Sequence, residues 1–234
     1  MRIDKYLADS GIGTRKEIKA LVRSGAVTAD GTPVCDPSFH VDEKVSAVCI
    51  NGTPVSYKKY IYIMMNKPSG YVSATFDKRL PVVTDLLDDY SLSFKPFPAG
   101  RLDIDTEGML ILTNDGELCH RILSPKKHIH KKYYVRSDKP ITEDDITAFE
   151  GGITLDDGFV CMAALLEHGE AENDSFVTLC EGKFHQVKRM FEAVGKSVIY
   201  LKRVSMGNLP LDENLPKGAY RELTEEEIKK LEEK

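Results

Sequence analysis

The chain has 234 residues, 41% hydrophobic and 29% charged, enough for one full core plus a small accessory unit of ordinary water-soluble composition. Its five cysteines, Cys35, Cys49, Cys119, Cys161 and Cys180, are odd in number and lack Cys-x-x-Cys spacing, which argues against a disulfide framework or a zinc knuckle. No apolar run approaches the roughly eighteen residues of a membrane span, and Met1-Arg2-Ile3-Asp4 leads into an amphipathic pattern without a signal-like apolar stretch, so a cytoplasmic protein is expected.

The formal net charge of −5 disfavours nucleic acid at first sight, but its distribution points the other way. Residues 1–25 carry six basic against three acidic groups, and residues 183–203 six against one. Basic faces on an acidic body are what such segregation produces.

Ile3, Tyr6 and Leu7 at helical spacing predict a first short helix. After Gly11-Ile12-Gly13, Thr14 and Glu17 form a capping box that opens a second. Ile18, Leu21 and Val22 share its inner face, Arg15, Lys19 and Arg23 share the outer one, and Gly25 offers the stop. Val27 to Val34 about Asp30-Gly31 predicts a hairpin, and Asn51-Gly52 a second. Gly-Thr-Pro-Val recurs at 31–34 and 52–55, which is shared turn chemistry rather than a repeat fold. A basic helical stripe beside a hairpin resembles the S4-like RNA-binding module found in a ribosomal small-subunit protein, tyrosyl-tRNA synthetases and many pseudouridine synthases. The resemblance covers residues 1–48; taken alone, Arg15, Lys19 and Arg23 would be read as a solvated face.

Lys58-Lys59 precedes the apolar strand Tyr60 to Met65, which places the domain boundary there: residues 1–58 form the small module and linker, and 59–234 the larger domain. Strands are expected at Met109 to Thr113, Lys132 to Val135, Phe176 to Cys180 and Val198 to Val204, with helices at Leu118 to Leu123 and Gln186 to Val194. This mixture implies an α+β fold on a mostly antiparallel sheet. In the tail, Thr224 caps a helix, Glu227 returns the bond, and Leu223 can staple against Ile228.

Gly100-Arg101-Leu102-Asp103 sets a carboxylate on a glycine-flanked turn before a strand, and Asn114-Asp115-Gly116 closes that strand. Asp103-x-Asp105-x-Glu107-Gly108 matches the first half of a calcium-binding EF-hand loop, but position twelve is Asn114 where a bidentate Glu is required. Carboxylates two residues apart cannot face each other across a sugar as a glycosidase pair does. By itself Asp103 would be read as an Asx turn. His120, His128, His130 and His185 lack the companion spacing of a zinc site, so no metal is expected.

Gly100-Arg101-Leu102-Asp103, Lys131-Lys132-Tyr133 and Glu181-Gly182-Lys183-Phe184-His185-Gln186-Val187-Lys188-Arg189-Met190 together resemble the catalytic set of bacterial ribosomal RNA pseudouridine synthases, in the small-subunit branch. That resemblance, running over nearly the whole chain, implies an isomerase that converts one uridine of 16S ribosomal RNA, the family's uridine 516, to pseudouridine without a cofactor. It casts Asp103 as the indispensable carboxylate, Lys188 as the cation that keeps it ionised, and Tyr133 as the ring stacked on uracil, with Val187 walling the other side of the base. Arg101 would serve the flipped nucleotide or its phosphate. Lys126, Lys127, Lys131, Arg189, Lys202 and Arg203 would clamp the RNA backbone. Asn66-Lys67-Pro68-Ser69-Gly70 resembles a family segment and is expected to form a shaped supporting loop. The partner implied is 16S ribosomal RNA or the assembling small subunit, and the protein is expected to be a monomer. A large-subunit rRNA enzyme and a non-catalytic RNA-binding or ribosome-assembly factor remain as alternatives.

Overall fold

The computed structural model describes residues 1–124 and 127–233. The chain divides into two compact units, Met1–Ile61 with Leu87–Pro96, and Tyr62–Leu86 with Phe97–Lys234. The segment Leu87–Pro96 therefore clusters with the N-terminal unit, whereas a single cut after residue 58 assigns it to the larger domain.

In the first unit, α1 (Ile3–Asp9) and α2 (Arg15–Arg23) cover a four-stranded sheet of order β2-β1-β3-β4, built from β1 (Val27–Ala29), β2 (Thr32–Val34), β3 (Val48–Ile50) and β4 (Thr53–Pro54). The α2 capping box forms: Glu17 N–H donates to the Thr14 hydroxyl, and the Glu17 carboxylate accepts from Thr14 N–H at 2.8 Å. Ile18 and Val22 bury against Ile3, Leu7, Val27 and Val48, which leaves Arg15, Lys19 and Arg23 exposed on the opposite face. Both hairpins turn through two left-handed residues, Asp30 and Gly31 in one and Asn51 and Gly52 in the other, the pairing that the right-handed strand twist demands. The short helix α3 (Asp89–Ser93), capped by the Asp88 side chain, completes this unit.

The second unit is an α+β domain on a nine-stranded sheet. Its main path runs β13 (Tyr220–Glu222), β5 (Tyr62–Lys67), β7 (Glu107–Thr113), β11 (Val198–Met206), β8 (Lys131–Ser137), β10 (Asp174–Leu179), β9 (Leu165–His168), with β6 (Phe97–Ala99) on β7 and β12 (Leu209–Pro210) on β11. Every pairing between these strands is antiparallel except β7 with β11. All seven residues of β7 are buried, as a strand covered on both faces requires. Its one glycine, Gly108, adopts φ 97° and lies opposite Arg203, where an added Cβ would sit 2.3 Å from the Arg203 carbonyl oxygen. Only a residue without a side chain lets β7 and β11 approach there.

The helices are α4 (Gly116–Leu123), α5 (Glu143–Gly151), α6 (Gln186–Ala193) and α7 (Glu225–Leu231). Leu118 and Ile122 of α4 join Met64, Met109, Ile111 and Leu231 in one core, against which Ile228 packs and to which Leu223 belongs. The tail capping box is present as expected. Among the described residues no helix is long and apolar enough to cross a membrane.

Candidate active site

The turn at 100–106, between β6 and β7, is held by a buried lysine. Lys67, the last residue of β5, is fully buried, and its ammonium donates to the carbonyls of Asp103 at 3.0 Å, Ile104 at 3.2 Å, Thr106 at 2.8 Å and Pro68 at 3.1 Å. An ammonium has no acceptor capacity and needs several oxygens when dehydrated, so the turn supplies them and is fixed in return. Desolvation pulls the Lys67 pKa down to about 8, with Asp105, Asp103 and Glu107 pulling the other way. Ser73 adds a reciprocal clamp on Leu102: its hydroxyl donates to the Leu102 carbonyl at 2.9 Å and accepts from the Leu102 N–H at 3.0 Å. Gly70 N–H reaches the Ile104 carbonyl at 2.8 Å. The Asp103 backbone is thereby immobilised while a quarter of its side chain stays exposed.

Asp103 lies on the wall of a cleft of about 590 Å³, also lined by Arg101, Lys131, Tyr133, Phe184 and Val187. Alternation along β8 decides which tyrosine faces it. Tyr133, 8% exposed, lines the cleft with Lys131, whereas Tyr134 points to the other face and makes edge contacts with Phe176 and Tyr200. Val187, at the start of α6, is buried and contributes to the same cleft.

Two nitrogens approach the carboxylate. Lys188 Nζ is 3.5 Å from Asp103 Oδ2, and His185 Nε2 is 3.6 Å from Asp103 Oδ1. The hydrogen bonds of Lys188 go to Asp105, at 2.6 and 2.8 Å, so this cation is shared between two carboxylates rather than dedicated to Asp103. Burial opposes the charge of Asp105, but the Lys188 hydrogen bond and charge outweigh it and hold that carboxyl below the usual carboxylate range. His185 reaches Asp103 because it caps α6 in a left-handed conformation, φ 50°, which a residue with a Cβ adopts only under constraint.

The expected backbone clamps separate into distinct groups. Arg101 and Lys127 are exposed, and Lys202 is half-buried. Lys126 lies outside the described residues. Lys131 and Arg203 line the cleft with Tyr133 but are themselves buried, 6% and 2% exposed. The Lys131 ammonium donates at 3.3 Å to the Ile129 carbonyl and at 3.4 Å to that of Cys180, and desolvation, with Arg203 nearby, lowers its pKa to about 8. Arg203 donates from Nε to the Met109 carbonyl at 2.7 Å, and its Nη2 has no hydrogen-bond partner among the described residues. The Arg189 guanidinium is paired with Asp156 and Asp157.

Sequence reasoning missed the role of Lys67 and the approach of His185 to Asp103. The first left a signal, a lysine closing the apolar run Tyr62–Lys67 just before a proline, where a charge has no business unless something accepts it. The second left none, since it depends on a left-handed backbone at a helix start.

An ionisable carboxylate on an immobile turn, with two nitrogens within 4 Å and an aromatic wall in the same cleft, suits attack or proton abstraction beside a stacked planar ring. Comparison with known proteins agrees. The model of the RNA pseudouridylate synthase family matches residues 61–193, and that of the S4 domain matches residues 1–45. An uncharacterized RNA pseudouridine synthase of Bacillus subtilis (strain 168) is 52% identical over 238 residues, spanning 100% of this chain and 99% of that protein. The ribosomal small subunit pseudouridine synthase A of Escherichia coli (strain K12) is 39% identical over 231 residues, 97% of this chain and 98% of that one. A crystal structure of a pseudouridylate synthase superposes with a TM-score of 0.69 at 36% identity and covers 99% of both chains. The carboxylate-bearing cleft, the N-terminal module and these full-length similarities converge: the chain belongs to the RNA pseudouridylate synthase family, and it is an RNA pseudouridine synthase with an N-terminal S4 domain.

Proposed function

We propose that this enzyme converts one uridine of small-subunit ribosomal RNA, the equivalent of uridine 516, to pseudouridine in the cytoplasm, acting as a monomer with Asp103 as its catalytic carboxylate. Relatives of about 40% identity over nearly the whole chain, named ribosomal small subunit pseudouridine synthase A, support the choice of RNA. The observation that carries the role of Asp103 is its place: a partly exposed carboxylate on a turn pinned by three bonds from Lys67, opening into the cleft that Tyr133 lines.

The isomerisation breaks the bond from uracil N1 to ribose C1′, turns the base in place and joins C5 to C1′; the C5 proton departs and N1 gains one, so no atom is gained or lost overall. Asp103 acts at the ribose, as a nucleophile on C1′ or as a base. Lys188 Nζ and His185 Nε2, 3.5 and 3.6 Å from its oxygens, stand beside the reacting group. Extruding the uridine costs a few kcal/mol of lost stacking, which the Tyr133 ring opposite Val187 offsets. The exposed Arg15, Lys19 and Arg23 stripe of residues 1–58 holds RNA phosphates, and residues 59–234 perform the chemistry.

Pseudouridine mapping in ribosomal RNA from cells lacking the protein tests this directly. One small-subunit site is expected to vanish, to return with the wild type and to stay absent with Asp103→Asn. Return with Asp103→Asn would remove the carboxylate from the mechanism, and a lost site in large-subunit RNA would move the enzyme to that substrate.

A further inference from the structure

Phe184 is 72% exposed, yet it lines the same cleft as Asp103. A single exposed apolar side chain is common on protein surfaces and by itself means little. This one is not a loose side chain. Its ring stacks on the His185 imidazole, with centroids 3.8 Å apart and planes 18° from parallel. His185 in turn stands 3.6 Å from Asp103 on a constrained left-handed backbone.

The loop beneath is locked by buried polar groups. The Gln186 side chain accepts from Lys183 N–H at 2.8 Å and donates to Glu181 at 2.7 Å, and Glu181 also accepts from Met162 N–H at 2.8 Å. Gln186 and Glu181 are 4% and 5% exposed. A rigid, fully satisfied base thus presents a two-ring stack that begins at the carboxylate and ends in solvent. The inner face of Phe184 is covered by His185, and the outer part of the ring is free to meet another planar group.

We infer that Phe184, stacked on His185, is a platform for a nucleobase flanking the target uridine in the RNA. The inference rests on the uridine-isomerising role of the Asp103 cleft. Extruding one nucleotide strips its neighbours of a stacking partner, and an aromatic ring at the cleft mouth replaces that partner whatever the base, because every base has a π-face. Exposed cations on the same cleft, Arg101 and Lys183, suit the phosphates on either side of such a base. A base stacked there ties the RNA strand to the element that carries His185 and Lys188, and so positions the ribose against Asp103.

The test uses the full-length enzyme and an RNA fragment centred on the uridine that mapping identifies, made either intact or with an abasic nucleotide at one flanking position. Phe184→Ala is expected to lower kcat/KM roughly five- to hundredfold, the range of one lost base–aromatic stack. Phe184→Tyr should restore it and Phe184→Leu should not, since leucine keeps apolar area but has no π-face. At one flanking position the abasic RNA should slow the wild type by a similar factor and slow Phe184→Ala no further. Wild-type kcat/KM in Phe184→Ala, or losses that multiply independently at both flanking positions, would overturn the platform while leaving the isomerase assignment intact. Failure of the wild type to convert any ribosomal uridine would instead overturn that assignment and the platform with it.

Discussion

The position of Asp103 is set by Lys67, whose hydrogen bonds go to the backbone of its turn. Lys67 orients the Asp103 turn through backbone carbonyls alone, so a substitution there changes where the carboxylate sits and leaves its chemistry untouched. Lys67→Met leaves four carbonyls without this donor and is expected to abolish most activity while the protein still binds RNA. A pH signature accompanies it. The Lys67 pKa is about 8 in the folded chain and 10.5 in its absence, so the unfolded chain holds more protons between those values. The stability contributed by this lysine is therefore lowest below pH 8 and rises as pH climbs toward 10.5. Urea unfolding at pH 7 and pH 10 should show the wild type gaining on Lys67→Met at the higher pH; an unchanged gap would mean that the ammonium is not desolvated. Lys188 differs in kind, because it faces the carboxylates themselves and divides its charge between Asp103 and Asp105.

Among elements, α5 and α6 show how charge holds secondary structure in place. Asp145 closes the capping box of α5, accepting from Thr142 N–H at 2.7 Å, and also pairs at 2.5 Å with Lys196, just beyond α6. Both side chains of the pair are less than a tenth exposed. Burial disfavours the Asp145 charge, and the Lys196 bond together with Thr142 overcomes it and lowers the carboxyl pKa. Lys196→Met strands a buried carboxylate and should cost about 3–5 kcal/mol in denaturant unfolding at pH 7. Because the folded pKa is depressed, that cost should shrink as the medium is acidified below the ordinary carboxylate pKa. A second element-scale expectation concerns α2. Replacing Arg15, Lys19 and Arg23 together by Gln should lower RNA affinity and flatten the plot of log affinity against log salt by about 2–3 units of slope, at 0.7–0.9 per lost phosphate contact. An unchanged slope would return this stripe to a merely solvated face.

For the whole molecule, the excursion of Leu87–Pro96 into the N-terminal unit matters most. Phe94 is 6% exposed, and its ring lies so near Gly11 that an added Cβ there would come within 2.6 Å. Lys58 Nζ sits 5.6 Å from the Tyr90 ring centre. A fragment beginning at residue 59 keeps Tyr90 and Phe94 but loses Gly11 and Lys58. Such a fragment should bind a hydrophobic dye and aggregate, whereas one that also replaces residues 87–96 by a short polar linker should stay dispersed in light scattering. Equal behaviour of the two would show that the segment needs no cover.

The amino-acid sequence by itself determined the local architecture: two amphipathic helices before Asp30-Gly31 and Asn51-Gly52 hairpins, the apolar strands of the larger domain, and the capped tail helix. Each depends on neighbours within a few residues, which is why periodicity and turn chemistry reveal them. Asp103, Tyr133 and Val187 were also legible, through motifs spread over some eighty positions, and the structure brings all three into one cleft. Helix α5 escaped notice although Thr142 and Asp145 form a capping box, because its acidic first turn reads as surface charge. Tertiary structure alone decided which lysine holds which group. Whether Lys67, Lys131 or Lys188 is buried, and against carbonyl or carboxylate, depends on strands far apart in sequence, and a lysine has the same four-carbon arm and ammonium in every setting. Burial and counter-charge, not residue type, assign its role.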